Sequence, residues 1–338
     1  MGPTALERVA MIVDLPSRSL FLCLLLLCGW QTLHAEDQRT TLLVVAGASG
    51  EASYAEIFAE ELKLWRDVAA KSEVRLTVIG DTPTTDTEND KQRLATVLKA
   101  EQGAAFKDVP LWIVLIGHGT FDGRVAAFNM RGPDITNTEL ADWLKLCERP
   151  LAVINTTAAS APFLTALSGP QRVVITATKS GQEKNYARFG RYFAKRVIDP
   201  TADLDKDEQT SLLEAYLAAA RDTAEFYKNE NRIATEHPLL DDNGDGRGIR
   251  LELFTRDRLT KPLANNQPAD GDLARRLHLH PHAAERLLTP EQMERRNELE
   301  QQLAALRARK AELDEAEYFE QLEKLLVELA RLYAPSKP

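Results

Sequence analysis

Cysteine is scarce in this chain: three in 338 residues. Two of them, Cys23 and Cys28, lie in an apolar N-terminal stretch, which leaves Cys147 alone in the body of the protein. A lone cysteine forms no intramolecular disulfide, so an oxidising compartment would add no covalent framework to the fold. Positive charge is also in deficit, with 42 Lys and Arg against 51 Asp and Glu and a net charge of −9. That balance argues against nucleic acid or an anionic membrane as the main partner. The apolar run Leu20 to Trp30 is about half of the roughly 20 residues that span a bilayer, which disfavours a retained membrane anchor.

What the N-terminus does carry reads as a secretory signal. Arg8 and Arg18 precede the apolar run, and Leu33-His34-Ala35 offers a cleavage site near Ala35, so residues 1–35 are expected to leave. The charges of Glu7, Arg8, Asp14 and Arg18 cancel, and the mature chain keeps its acidic balance. The expected location is secreted or periplasmic, with no transmembrane segment after signal removal. A start at Met11 is an alternative, and a lipid on Cys28 is disfavoured because leucines precede it rather than small residues.

From Thr40 onward strand-like and helix-like segments alternate. Thr41 to Ala46, Val74 to Ile79, Leu111 to Ile116, Leu151 to Asn155 and Arg172 to Thr176 are β-rich apolar runs. Between them, Ser53 to Ala70, Lys91 to Glu101, Glu139 to Leu146 and Pro162 to Leu167 have helical spacing or helix signals. Thr136 with Glu139 forms a capping box at the start of one of them. This alternation predicts an α/β fold with a mostly parallel sheet covered by helices on both faces. Leu212 to Asn229 is a further helix, and residues 259–288, rich in Pro, Asn and Asp at their start, read as a linker. Residues 289–334 form a C-terminal helical extension with a leucine stripe. It is either one long helix or a hairpin turning near Asp314 to Glu317, and the stripe must pack on the main domain or on a second copy.

Three blocks within Thr40 to Lys195 resemble the legumain-like peptidases, of the cysteine-peptidase clan that also holds caspases and gingipains. They are VVAGASGEASYAEIF from Val44, the strand end Ile116-Gly117-His118-Gly119, and the stretch from Val153 to Tyr192 with its later Glu183 and Tyr186. The resemblance implies a caspase-like three-layer sandwich over residues 40–258. It further implies His118 as general acid/base and Gly119 as donor of an oxyanion amide. It requires no cofactor. Where the family has its nucleophilic cysteine this chain has Ala158, and shifting the alignment offers the hydroxyls of Thr156, Thr157 or Ser160. The family's primary-pocket arginine aligns with Ala55, after Tyr54, and the acidic residue before the cysteine falls near Thr156. Loss of thiol and pocket charges together favours a non-catalytic homologue that binds a peptide or protein, with self-association through the C-terminal helices. The alternatives are an active hydrolase using His118 with Ser160, Thr156 or Thr157, and an envelope assembly protein working through those helices.

Two acidic loops suggest calcium. Asp241, Asn243, Asp245, Gly246 and Glu252 have the spacing of a calcium loop, against a plain Asx-rich turn; Asp203, Asp205, Asp207, Gln209, Ser211 and Glu214 have it too, but with Glu208 where glycine is required. Carboxylates at the start of a helix also serve as caps, which is the alternative for the second set. His278, His280 and His282 alternate as zinc or copper ligands can, in a stretch that reads equally as incidental.

Overall fold

The computed structural model describes residues 39–82, 88–102, 109–256, 258–259, 269–310 and 312–334. The signal expected in residues 1–35, and the start of the expected linker, fall outside these. The elements in chain order are β1 (Thr41–Ala46), α1 (Ala52–Ser72), β2 (Arg75–Ile79), α2 (Asp90–Ala100), β3 (Leu111–Ile116), β4 (Gly119–Phe121), β5 (Ala126–Phe128), β6 (Ile135–Thr136) and α3 (Asn137–Leu144). Then follow β7 (Leu151–Asn155), α4 (Ala161–Leu167), β8 (Arg172–Thr176), α5 (Phe189–Arg196), α6 (Leu212–Asn229), β9 (Leu239–Asp241), β10 (Phe254–Thr255), β11 (Arg258–Leu259), α7 (Asp272–Arg276), α8 (Pro290–Ala308) and α9 (Glu315–Tyr333).

Six strands form one sheet in the order β2-β1-β3-β7-β8-β9, parallel except for β9, as the alternating pattern predicts. Successive residues of each strand point to opposite faces, and both faces are covered. Leu42, Val44, Trp112, Val114, Ile154 and Ile175 pack under α1, α5 and α6. Leu43, Val45, Ile113, Leu115, Val153 and Val174 pack under α2, α3 and α4. Burial on both sides explains why these strands read as unbroken apolar runs rather than alternating ones. The edge at β9 is closed by its own chain: Leu240 and Ile249 exchange both backbone hydrogen bonds, so the Asp241 to Gly248 turn folds back over the strand.

The far end of the sheet is tied by a buried charge cluster. Glu101 receives Arg149 and Arg75, the latter at 2.8 Å, while Arg149 also reaches the Val109 and Pro110 carbonyls and Thr41.

The segment expected as a linker belongs to the body over its second half. Ala274, Leu277 and Leu279 are buried in the core beside α6, and Leu212 donates its amide to the Leu277 carbonyl. Its hydrophobic residues are too widely spaced to form a periodic stripe, and the Pro-Asn-Asp composition upstream masked them. The C-terminal extension is a hairpin: α8 and α9 pack on each other, α8 ending at Ala308 and α9 beginning at Glu315. It is anchored by the Arg296–Glu285 pair, both side chains buried, at 2.5 Å. No helix among the described residues is long and apolar enough to cross a membrane.

Candidate functional site

Because β1, β3, β7 and β8 run parallel, the segments that follow them leave from one edge of the sheet. In α/β folds this edge is where ligands meet loops. Here it gathers Gly47 to Ser49, Gly117 to Gly119, Thr156 to Ser160 and Thr178 to Glu183.

After β3 the chain turns through Gly117, whose φ of 150° suits glycine. His118 follows, its imidazole Nε2 3.1 Å from the Ser49 carbonyl; a carbonyl oxygen only accepts, so Nε2 is the donor of that bond. One helical turn of α1 supplies two rings against it: Tyr54 edge-on at 4.6 Å and Phe58 at 5.2 Å between centroids. Tyr186 closes the cluster, 5.4 Å from Tyr54. Gly119 then passes so near the loop after β7 that a Cβ there would lie 2.1 Å from the Ala158 carbonyl oxygen and 2.6 Å from Thr157 Oγ1. The side chain facing the histidine turn is thus Thr157, one place before the Ala158 at which the resemblance puts the missing cysteine.

None of the three candidate hydroxyls is hydrogen-bonded to His118. Thr156 donates to the Leu115 carbonyl at 2.7 Å. Thr157 Oγ1 bonds Asn155 Oδ1 at 2.7 Å. Ser160 Oγ pairs with Thr178 Oγ1 at 3.1 Å and accepts the Thr178 amide. All three residues are buried, Thr157 and Ser160 completely. Ala158 is buried as well, and Ala159, at φ 52°, donates its amide hydrogen bond to the Glu183 carbonyl. A left-handed alanine costs about 1 kcal/mol or more, so the loop is held in this shape against local preference. Ala55 is exposed on α1 and Tyr54 half-buried, so neither brings a charge to the edge.

Three groups here were missed in the sequence. Glu61 of α1 is buried, and burial pushes its carboxyl up to about 8, Thr156 being its hydrogen-bond partner at 3.4 Å. Thr156 spends its own proton on Leu115, so a protonated Glu61 is the natural donor to Thr156. Its signal was a glutamate inside the inward stripe of Ile57, Phe58, Leu62 and Trp65. Glu236 caps the start of α5, accepting the Arg188 and Phe189 amides and the Tyr227 hydroxyl; burial raises its pKa. His237 points Nδ1 at Glu183 Oε1, 2.5 Å away, on the opposite side of the Ala158–Ala159 loop from Gly119. No local pattern announced either.

Both acidic loops cap their own turns, the first through Asp203, which accepts the Lys206 and Glu208 amides, and Asp205, which accepts the Asp207 amide; only in the first do the carboxylates also converge. Asp203, Asp205 and Glu214 each bring a carboxylate oxygen within 4.8 Å of the others. Oxygen donors of this kind suit a hard cation. Glu214 also closes the cap of α6 through the Ser211 amide and hydroxyl and accepts the Leu204 amide, so the helix-cap role is present too. Burial, then the charges of Asp207 and Glu214, push Asp205 up to about 7. In the second loop Asp241 accepts the Gly244 and Gly246 amides, Asn243 accepts the Asp245 amide, and Glu252 faces solvent beside Arg250. These side chains satisfy their own turn rather than a common centre. The three histidines are dispersed: His278 packs near Arg296 and is held down to about 3 by burial, His280 lies on Arg286, and His282 on Glu208.

No protein-family model matches the chain, and no curated protein does. Among solved structures it is similar to the Drosophila initiator caspase Dronc, at 14% identity and a TM-score of 0.40, over 63% of this chain and 83% of that one. It is similar to caspase-1 from Spodoptera frugiperda at 7% identity and a TM-score of 0.40, over 63% and 90%. Protein GSU0716 from Geobacter sulfurreducens matches at 10% identity and a TM-score of 0.39, over 60% and 92%.

Proposed function

We propose that this chain is a secreted or periplasmic homologue of the legumain- and caspase-like peptidases that binds a peptide or protein at the sheet edge without cleaving it. The observation that carries the reading is the hydrogen bonding of the edge. His118 donates from Nε2 to the Ser49 carbonyl, which leaves Nδ1 as its basic nitrogen, but Thr156, Thr157 and Ser160 are buried and bonded to other partners. A hydroxyl nucleophile needs a base in direct reach and an open approach for the carbonyl it attacks. Neither condition is met by these three. The edge retains what recognition uses: half-buried Tyr54 and Tyr186 rings, and an Arg188 guanidinium over both Tyr186 and Phe226, at 5.7 and 4.5 Å.

The test is covalent. The full chain is exposed to electrophiles that trap hydroxyl nucleophiles, such as a fluorophosphonate, and mapped by mass spectrometry. No adduct at Thr156, Thr157 or Ser160 is expected. An adduct at one of them that disappears in His118→Ala would establish the hydrolase instead. The expected export is checked separately by the N-terminus of the protein recovered from cells, which should begin near Glu36.

A further inference from the structure

Helix α9 has two apolar rows: one packs within the chain, and the other is exposed along its middle, with Lys310 over Phe319 at one end and Tyr333 near Glu285 and Arg296 at the other. Tyr318, Leu322, Leu325, Leu329 and Leu332 lie on one arc. Tyr318 is buried and the leucines half-buried, where the helix meets α8 and its buried Leu299, Leu303 and Leu306. The second row is Phe319, Leu326 and Tyr333, seven residues apart, with Val327 beside it. These remain 49%, 41%, 36% and 41% exposed. A seven-residue repeat on an exposed face is the pattern of a helix seam awaiting another helix.

The charges beside that row say which helix it fits. The first half of α9 is acidic throughout, with Glu315, Glu317, Glu320 and Glu323 and no base. The second half holds Lys324, Glu328 and Arg331, and Glu328 is taken by Arg295 of α8 at 2.7 Å. Lys324 and Arg331 have no ionic partner among the described residues. The helix therefore has an acidic half and a half with unanswered positive charge, so it is complementary to itself reversed. A parallel pair would set glutamate against glutamate. A lipid surface is a poorer match, since membrane-surface helices carry Lys and Arg on their polar face and this one is mostly acidic.

We infer that α9 pairs antiparallel with α9 of a second copy of this chain, about a two-fold axis near Leu326 and Val327. In that register Phe319 of one copy lies level with the Tyr333 end of the other. Glu323 lies level with Ala330 and Arg331. The same patch then serves both copies, as a closed two-fold interface requires. The interface is remote in sequence from the sheet edge and stands whether or not that edge binds peptide.

The experiment is sedimentation equilibrium and light scattering on the full chain, with four variants: Leu326→Asp, Arg331→Glu, Glu323→Arg, and the Glu323→Arg/Arg331→Glu swap. The wild type is expected to dimerise, each single variant to weaken the dimer by about tenfold or more, and the swap to regain most of that loss. Regain by the swap separates an interface effect from misfolding, since a misfolded chain is not rescued by a second change. A monomer at every concentration overturns the inference. So does a dimer indifferent to all four variants, or capture by anionic vesicles without dimerisation.

Discussion

Replacing Glu61 by Gln removes one buried titrating group while leaving its shape and its capacity to donate to Thr156. In the folded chain the Glu61 carboxyl is pushed up to about 8, chiefly by burial, against 4.5 for the free side chain. Folding thus raises the value, and between these two pH values the folded chain holds a proton that the unfolded chain has released. Stability must fall as pH rises through that window. At about 1.4 kcal/mol per unit of separation, the whole window corresponds to a ceiling of about 5 kcal/mol. Urea unfolding of wild type and Glu61→Gln at intervals from pH 5 to 8.5 measures it. Other buried acids, Asp242 and Asp270 among them, are raised as well, so the readout is the difference between the two proteins and not either curve alone. The wild type should lose stability relative to Glu61→Gln steadily with pH, by several kcal/mol in total. Parallel curves would refute the argument, because they would mean Glu61 is ionised and solvated in the folded state.

The remaining predictions concern three other places. Glu101→Gln leaves the buried Arg149 and its neighbour Arg75 without their carboxylate; denaturant unfolding should show a loss of about 3–5 kcal/mol, and a loss under 1 would mean the cluster is hydrated. Gly119→Ala places a methyl group 2.1 Å from the Ala158 carbonyl and should cost about 1–3 kcal/mol while abolishing ligand capture; a neutral effect on both would show that the two loops are not held together. The gathered carboxylates of Asp203, Asp205 and Glu214 predict calcium uptake that strengthens as pH rises through about 7, where Asp205 releases its proton. Calorimetry should show this binding weakened in Asp205→Asn and unchanged in Asp245→Asn, whereas no heat in the wild type would leave the loop as a helix cap.

The sheet was legible because its strands are buried on both faces and bounded by turn residues. Leu111–Ile116 and Leu151–Asn155 admit no other reading once the glycines around His118 and the small residues after Asn155 mark where each stops. The capping box at Thr136 was an equally local signal. What escaped was long-range. The burial of Ala274, Leu277 and Leu279 depends on α6, some sixty residues earlier, and nothing beside them in the chain announces it. Glu236 and His237 acquire their roles from α5 and from Glu183, both distant in sequence. The two acidic loops had nearly the same spacing, and spacing does not reveal whether carboxylates that cap their own turn also converge on one another, as those of Asp203, Asp205 and Glu214 do, or serve the turn alone, as at Asp241.

Whether the sheet edge binds without cutting is settled by one comparison. The full chain and His118→Ala are incubated with a randomised peptide library, and both captured and cleaved peptides are read by mass spectrometry. The account predicts a shared set of captured sequences and no cleavage by the wild type above that of the variant. Cleavage at defined sequences by the wild type, absent in His118→Ala, would contradict it.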